Sequence, residues 1–336
     1  MRWYETEAKE ISPVLSTRVR FARNLKDTPF PGQLDEAGKE QVFETVRDAL
    51  ADRELTFVNF GEAGELEKNA YVQTHLASAA LAKGGKGTGL ALSRDGESAL
   101  LINEEDHLRL QVILPGKCPA QAVEKAMALE KELEGRLPVA FAKPWGYLTA
   151  CPTNLGAGMR LSVMIHLPAL RLTKRLNSLV RALNEAGMTV RGLFGEGSRG
   201  DGAVYQISNQ MSGDKTPEEI LAEFQRVLER VELEETRARD ALLEADRIGP
   251  EDRAMRAFGA LLYARRLRYS EFLELYSRVR FGRELGLAAL KDLSCLDRLL
   301  VEVTPAPMVL ADASLADETK RDVARAARVR AALGGK

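Results

Sequence analysis

Three separated stretches of this chain alternate aliphatic and polar residues with period two, and in all three the polar positions carry arginine. In VLSTRVRFAR, Leu15, Thr17, Val19 and Phe21 alternate with Ser16, Arg18 and Arg20. In EEDHLRLQVIL, Leu108, Leu110 and Val112 alternate with His107, Arg109 and Gln111. In RLSVMIHLP, Leu161, Val163, Ile165 and Leu167 alternate with Arg160, Ser162, Met164 and His166. Successive side chains on a strand point to opposite faces, so each stretch reads as a half-buried strand with its aliphatic face to the core. One such strand with a solvated polar face says nothing about function. Three in one sheet would bring Arg18, Arg20, Arg109 and Arg160 onto a single surface, where like charges repel. A polyanion seated among them removes the repulsion, which points to a phosphate-bearing ligand. The same alternation puts Glu105 on the face of His107 and Arg109 and turns Glu104 and Asp106 away.

Helical patterns lie between and after the strands. Residues 119–134 carry Val123, Ala126, Met127, Leu129 and Leu133 at helical spacing, and 169–187 is amphipathic and ends at Gly187, a C-cap signal. Thr216-Pro217-Glu218-Glu219 is a capping box with proline at the first helical position. From about 240 onward no strand pattern as clear appears. The expectation is an α+β catalytic domain over 12–240, with an antiparallel sheet flanked by helices, and a small all-helical C-terminal domain over 241–336. No internal repeat is present. The glycine-rich 84–89 lacks the spacing of a phosphate loop and reads as a loop before a strand at 90.

Bulk properties narrow the function classes. A net charge of −1 over 336 residues argues against whole-surface attraction to nucleic acid or an acidic membrane, so a phosphate site must be a local arginine cluster. Cys118, Cys151 and Cys295 show no CxxC spacing, supporting neither a disulfide framework nor a structural zinc site. The first residues, MRWYETEAKE, contain no apolar targeting core, and no apolar run reaches membrane-span length, so a cytoplasmic location is expected. Within CPTNLGAGMR (151–160), Cys151 has four possible roles: nucleophile, metal ligand, redox switch or buried small residue.

Taken in order, STRVR (16–20), INEEDHLR (102–109), CPTNLGAGMRLSVMIHLP (151–168), RGLFGEGS (191–198) and YQISNQ (205–210) resemble the phosphagen kinase superfamily. Members move the γ-phosphoryl group of ATP onto a guanidino nitrogen. The resemblance is strongest to the bacterial protein-arginine kinase branch (McsB type). Kinases of free guanidines carry a helical N-terminal domain that helps close over the substrate. Only eleven residues precede Ser12-Pro13-Val14 here, so the expectation is an acceptor pocket open to an arginine still attached to a protein.

The resemblance implies roles residue by residue. Arg18, Arg20, Arg109, Arg160 and Arg191 would clamp the ATP phosphates, since a guanidinium fork binds phosphate oxygens bidentately and stays charged. The nucleotide-contacting segments would be Ser16, Thr17, Arg18, Val19 and Arg20; then Arg160, Leu161, Ser162, Val163 and Met164; then Arg191, Gly192, Leu193, Phe194, Gly195 and Glu196. His75 is a further nucleotide candidate. Mg²⁺ would bridge phosphates and water, with no protein metal cage expected. Glu105 and Glu196 would hold the acceptor guanidinium and take its proton, and Cys151 would orient it as a thiolate that is also open to oxidation. Arg321-Asp322-Val323-Ala324-Arg325-Ala326 resembles an RDxxRA phosphoarginine-binding motif, in which Arg321, Asp322, Arg325 and Ala326 would be the contacts; a solvated Ala/Arg helix is the plain alternative. Implied partners are protein substrates, a zinc-binding activator, a stress-gene repressor, a Clp-type protease and a second copy in a homodimer. A kinase for free arginine and a catalytically silent nucleotide-binding regulator are the competing readings; a nucleic-acid-binding module is disfavoured. Two departures stand out: Ala157 where the family has threonine, and Met164 where many members have histidine.

Overall fold

The computed structural model describes residues 4–5, 12–193, 201–291 and 293–335. The strands are β1 (Val14–Arg23), β2 (Leu55–Asn59), β3 (Gly89–Ser93), β4 (Ser98–Ile102), β5 (Leu108–Pro115), β6 (Phe141–Ala142), β7 (Gly146–Tyr147), β8 (Met159–His166), β9 (Met188–Gly192) and β10 (Val204–Asn209). Eight of them form one sheet in the order β2-β3-β4-β5-β1-β8-β10-β9, and β6 and β7 form a separate hairpin. The β2–β3, β3–β4, β4–β5 and β5–β1 pairings are antiparallel. All three arginine-bearing alternations are therefore strands. The second begins only at Leu108, because Asn103 turns the chain with φ +55 and 103–107 is a bend.

The helices are α1 (Glu36–Ala49), α2 (Glu65–Gln73), α3 (Ala79–Ala82), α4 (Pro119–Glu134), α5 (Pro168–Leu172), α6 (Leu176–Glu185), α7 (Pro217–Ala245), α8 (Ile248–Tyr263), α9 (Tyr269–Glu284), α10 (Leu296–Glu302), α11 (Pro305–Ala311) and α12 (Glu318–Leu333). α4 packs against β5 and buries Val123, Ala126 and Leu133, the spacing read from its sequence. The amphipathic stretch 169–187 is two helices rather than one. Lys174 at φ +59 interrupts the backbone ladder, and the Thr173 hydroxyl turns back to the Ala169 carbonyl at 2.8 Å. Gly187 follows the second helix at φ +73, as a C-terminal cap requires.

α7 starts on the expected capping box. The Thr216 N–H donates to Glu219 Oε2 at 2.8 Å, and the Glu219 N–H donates to Thr216 Oγ1 at 3.2 Å. Thr216→Ala removes the second of these bonds. It should lower unfolding stability by about 1 kcal/mol in a denaturant titration, and an unchanged midpoint would show the cap to be idle.

Two compact units divide the described residues: 4–5, 16–162 and 208–225, and 12–15 with 163–193, 201–207, 226–291 and 293–335. The first contains a core of Phe60, Leu81, Leu90, Ala99 and Leu101. The second contains a larger one built largely on α8–α12, with Phe272, Tyr276, Val279, Leu299, Met308 and Val329 nearly or fully buried. The architecture is mixed α+β with a helical C-terminal part. Among the described residues, no helix is long and apolar enough to cross a membrane.

Candidate active site

The β1–β5 register sets Arg18 opposite Ile113, Arg20 opposite Gln111 and Ala22 opposite Arg109, so Arg18, Arg20 and Arg109 share one sheet face. β8 adds Arg160 from the other side of β1: Ser162 Oγ donates to the Arg18 carbonyl at 3.3 Å. Arg160 is held in turn by Ser208 Oγ on β10, at 3.2 Å from Nε and 2.8 Å from Nη2. At the centre, burial first, and then the charges of Arg18, Arg109 and Arg160, drive the Arg20 pKa well below the usual guanidinium range, with Glu104 acting in the opposite direction. Arg20 Nε is buried with no hydrogen-bond partner among the described residues. A cluster of guanidinium groups with a buried, unsatisfied N–H is a site shaped for oxyanions.

The 103–107 bend connects this cluster to a carboxylate pair. Arg109 Nη1 contacts Glu104 Oε2 at 2.7 Å, and Nη2 contacts Glu105 Oε2 at 2.6 Å. Glu104 does not point away, as strict alternation predicted, because alternation does not apply in a bend. It is nearly buried at 7% and also accepts from Ser78 Oγ at 2.6 Å, whereas the Glu105 side chain is 42% exposed. Asn154 Nδ2 reaches Glu105 Oε2 at 3.4 Å, which brings the segment after Cys151 beside that carboxylate. Half-buried Cys151 contacts the Thr153 hydroxyl through Sγ at 3.1 Å.

The CPTNLGAG segment is shaped by backbone contacts. Gly156 has φ +99, and a Cβ there would meet the Gly213 carbonyl at 1.7 Å, so no side chain fits. The Ala157 carbonyl accepts from Arg23 Nη1 at 3.0 Å, and the next carbonyl, Gly158, accepts from the Ala22 N–H at 2.8 Å; nothing in the structure explains alanine in place of threonine at 157. Arg23 itself is a structural arginine, buried, bonded to Glu130 through Nε and Nη2, and stacked 3.3 Å from the Tyr147 ring centroid.

Residues 38–238 match the ATP:guanido phosphotransferase C-terminal catalytic domain, and residues 248–335 match the protein-arginine kinase McsB C-terminal domain. The chain belongs to the ATP:guanido phosphotransferase family. Among relatives of this phosphotransferase, the protein-arginine kinase of Halothermothrix orenii is 40% identical over 98% of this chain and 96% of its own length. That of Pelotomaculum thermopropionicum is 38% identical over 98% of this chain and 94% of its own. The solved lombricine kinase shares the fold at a TM-score of 0.57 and 21% identity, over 71% of this chain and 72% of that one. The duplicated taurocyamine kinase of Schistosoma mansoni gives a TM-score of 0.59 at 23% identity, over 66% of this chain; the match spans only 33% of that longer protein.

The remaining residues expected of a phosphotransferase site fall into three groups. His75 sits at φ +62, with its carbonyl accepting from Gln111 Nε2 at 3.1 Å. Burial and the Arg18 charge push its imidazole down to a pKa of about 3, so the ring is neutral beside the arginines. Thr17, Val19, Leu161 and Val163 turn into the core at 0–1% exposure, leaving their backbone as the only part able to meet a ligand. Thr17 Oγ1 is spent on the Gly116 carbonyl and the Cys118 N–H. Ser16 and Ser162 are also buried. Val163, Met164, Arg191, Gly192 and Leu193 lie in the second unit, where Met164 packs on its core. Phe194, Gly195 and Glu196 lie outside the described residues. Among the described residues, no group of three or more His, Cys, Asp or Glu could hold a metal ion.

In the second unit the RDxxRA stretch lies on α12 and is not a solvated helix face. Arg325 is 1% exposed and donates to the carbonyls of Val303 at 2.8 Å and Leu267 at 2.9 Å, and to Asp322 Oδ1 at 2.5 Å. Ala326 is fully buried. Arg321 donates through Nη1 to the Leu315 and Ala316 carbonyls, and its Nε is buried with no partner among the described residues.

Proposed function

We propose that this chain transfers the γ-phosphoryl group of ATP to the guanidino group of arginine residues in proteins. The observation that carries the reading is the Arg20 cluster, an oxyanion site joined through Arg109 to a half-exposed Glu105. In this reading Arg18, Arg20, Arg109 and Arg160, with Arg191, hold the phosphates, and neutral His75 contacts the nucleotide. Mg²⁺ supplies charge neutralisation on the phosphates. An arginine guanidinium has a pKa above about 12, so its nitrogen attacks only as a proton leaves. Glu105, together with Glu196, holds the cation in line and accepts that proton; the N–P bond forms as the P–O bond to ADP breaks. Cys151 helps to orient the acceptor.

The finer assignments follow the family resemblance. The product would mark proteins for a Clp-type protease and regulate a stress-gene repressor, under a zinc-binding activator, in the cytoplasm and as a homodimer. On α12, Arg321 is the member of the RDxxRA stretch with donor capacity left for a phosphoarginine ligand, while Asp322 and Arg325 fix the helix. Incubation with ATP and an arginine-rich protein, followed by mass spectrometry under non-acidic conditions, should show an acid-labile phosphoryl gain on arginine. Turnover of free arginine alone would overturn the protein-substrate reading.

A further inference from the structure

Glu105 and Cys151 sit on segments far apart in sequence, and something must fix their spacing. Asp106 immediately follows Glu105, and Ala150 immediately precedes Cys151. Asp106 Oδ1 accepts from the Ala150 N–H at 2.7 Å and from Asn24 Nδ2 at 2.6 Å. Asn24 Nδ2 also donates to the Leu148 carbonyl at 3.0 Å, and Asn24 Oδ1 accepts from the His107 N–H at 2.8 Å. His107 Nδ1 accepts from the Leu25 N–H at 3.1 Å. Asn24, Asp106 and His107 are at most 1% exposed. The network thus joins the chain just after β1, the acidic bend and the approach to Cys151; Asn24 bonds to Asp106, His107 and Leu148, and Asp106 alone bonds to Ala150, the residue next to Cys151.

A buried carboxyl group in this place is not a neutral choice. Asp106 Oδ2 is buried with no hydrogen-bond partner among the described residues, and burial outweighs the two hydrogen bonds, so the carboxyl pKa is raised. An unsatisfied buried polar atom is unfavourable for folding, and the segment retains it while gaining a fixed Glu105-to-Cys151 separation. We propose that Asp106 is a positioning residue, holding the acidic bend and the Cys151 segment at the spacing the acceptor guanidinium needs. The proposal rests on the acceptor roles of Glu105 and Cys151 described above.

The test compares Asp106→Leu, which loses both accepted bonds, with Asp106→Asn, whose Oδ1 can keep both. Asp106→Leu should lower kcat roughly tenfold to thirtyfold while the ATP KM stays within about threefold, since misplaced reacting groups slow the transferring step. Asp106→Asn should restore kcat to within about threefold of wild type. In parallel, iodoacetamide labelling resolved by peptide mapping should change the Cys151 rate at least about threefold in Asp106→Leu, with Cys118 as the internal reference. Wild-type kcat and labelling in Asp106→Leu would overturn the proposal, as would an Asp106→Asn defect equal to that of Asp106→Leu. Should the leucine variant fail to fold, Asp106→Glu, whose extra methylene drives the carboxyl past both donors, must show the same kcat loss; full kcat there also overturns it. The labelling arm does not need turnover, so a wild type that phosphorylates nothing would count against the proposed function and leave positioning to be judged on Cys151.

Discussion

Glu105→Gln should lower phosphoryl transfer to arginine by roughly 10²–10⁴-fold, the range for a positioned base, with the ATP KM changed only a few-fold. Two acidic side chains meet Arg109, and exposure decides between them. Glu104 is nearly buried and occupied by both Ser78 and Arg109, so it has little capacity left for a second cation. Glu105 is 42% exposed and beside Asn154, so an incoming guanidinium can reach it. Glutamine keeps the size and an oxygen able to accept from Arg109, but it neither attracts the cation as a carboxylate does nor takes its proton. The effect should therefore fall on kcat, measured as phosphoarginine formed under non-acidic conditions. Near-normal turnover in Glu105→Gln would remove the mechanism.

How much of this was legible in the sequence depended on whether local periodicity decides the geometry. The arginine face was legible because period two fixes side-chain direction on a strand, and β1 and β8 are strands where the alternation placed them. The role of Glu104 was not, because one residue at positive φ, Asn103, replaces the strand with a bend and cancels the alternation. Asparagine tolerates that conformation better than most residues, which is the one signal that could have raised the question. Asp106 and Asn24 were illegible for another reason: their partners lie 44 to 124 positions away along the chain. The split of 169–187 turns on Lys174, whose residue type gives no warning. In the RDxxRA stretch the residue types alone do not say which side chains are buried. Sequence alone could not separate Arg325, spent on buried carbonyls, from Arg321, which keeps a free donor.

Arg20→Met should move stability and nucleotide binding in opposite directions. In the free protein Arg20 is a half-buried cation among three others, with an Nε that has no partner among the described residues. A basic group whose folded pKa lies below its unfolded value opposes folding while it is charged. That opposition is present at neutral pH and fades as pH rises through the folded value, because the unfolded chain then binds more protons. Methionine keeps much of the aliphatic stem and removes the charge, so the melting temperature without nucleotide should rise. With ATP present the sign reverses. A charge-assisted hydrogen bond to phosphate is worth about 1.5–3 kcal/mol, so losing it should weaken nucleotide binding roughly 10- to 150-fold and shrink the ligand-induced rise in melting temperature. A surface arginine with no ligand would leave both temperatures nearly unchanged, and a purely structural one would lower the first. Only a residue kept for an anion at the expense of the empty fold gives a higher melting temperature without nucleotide and a smaller gain with it.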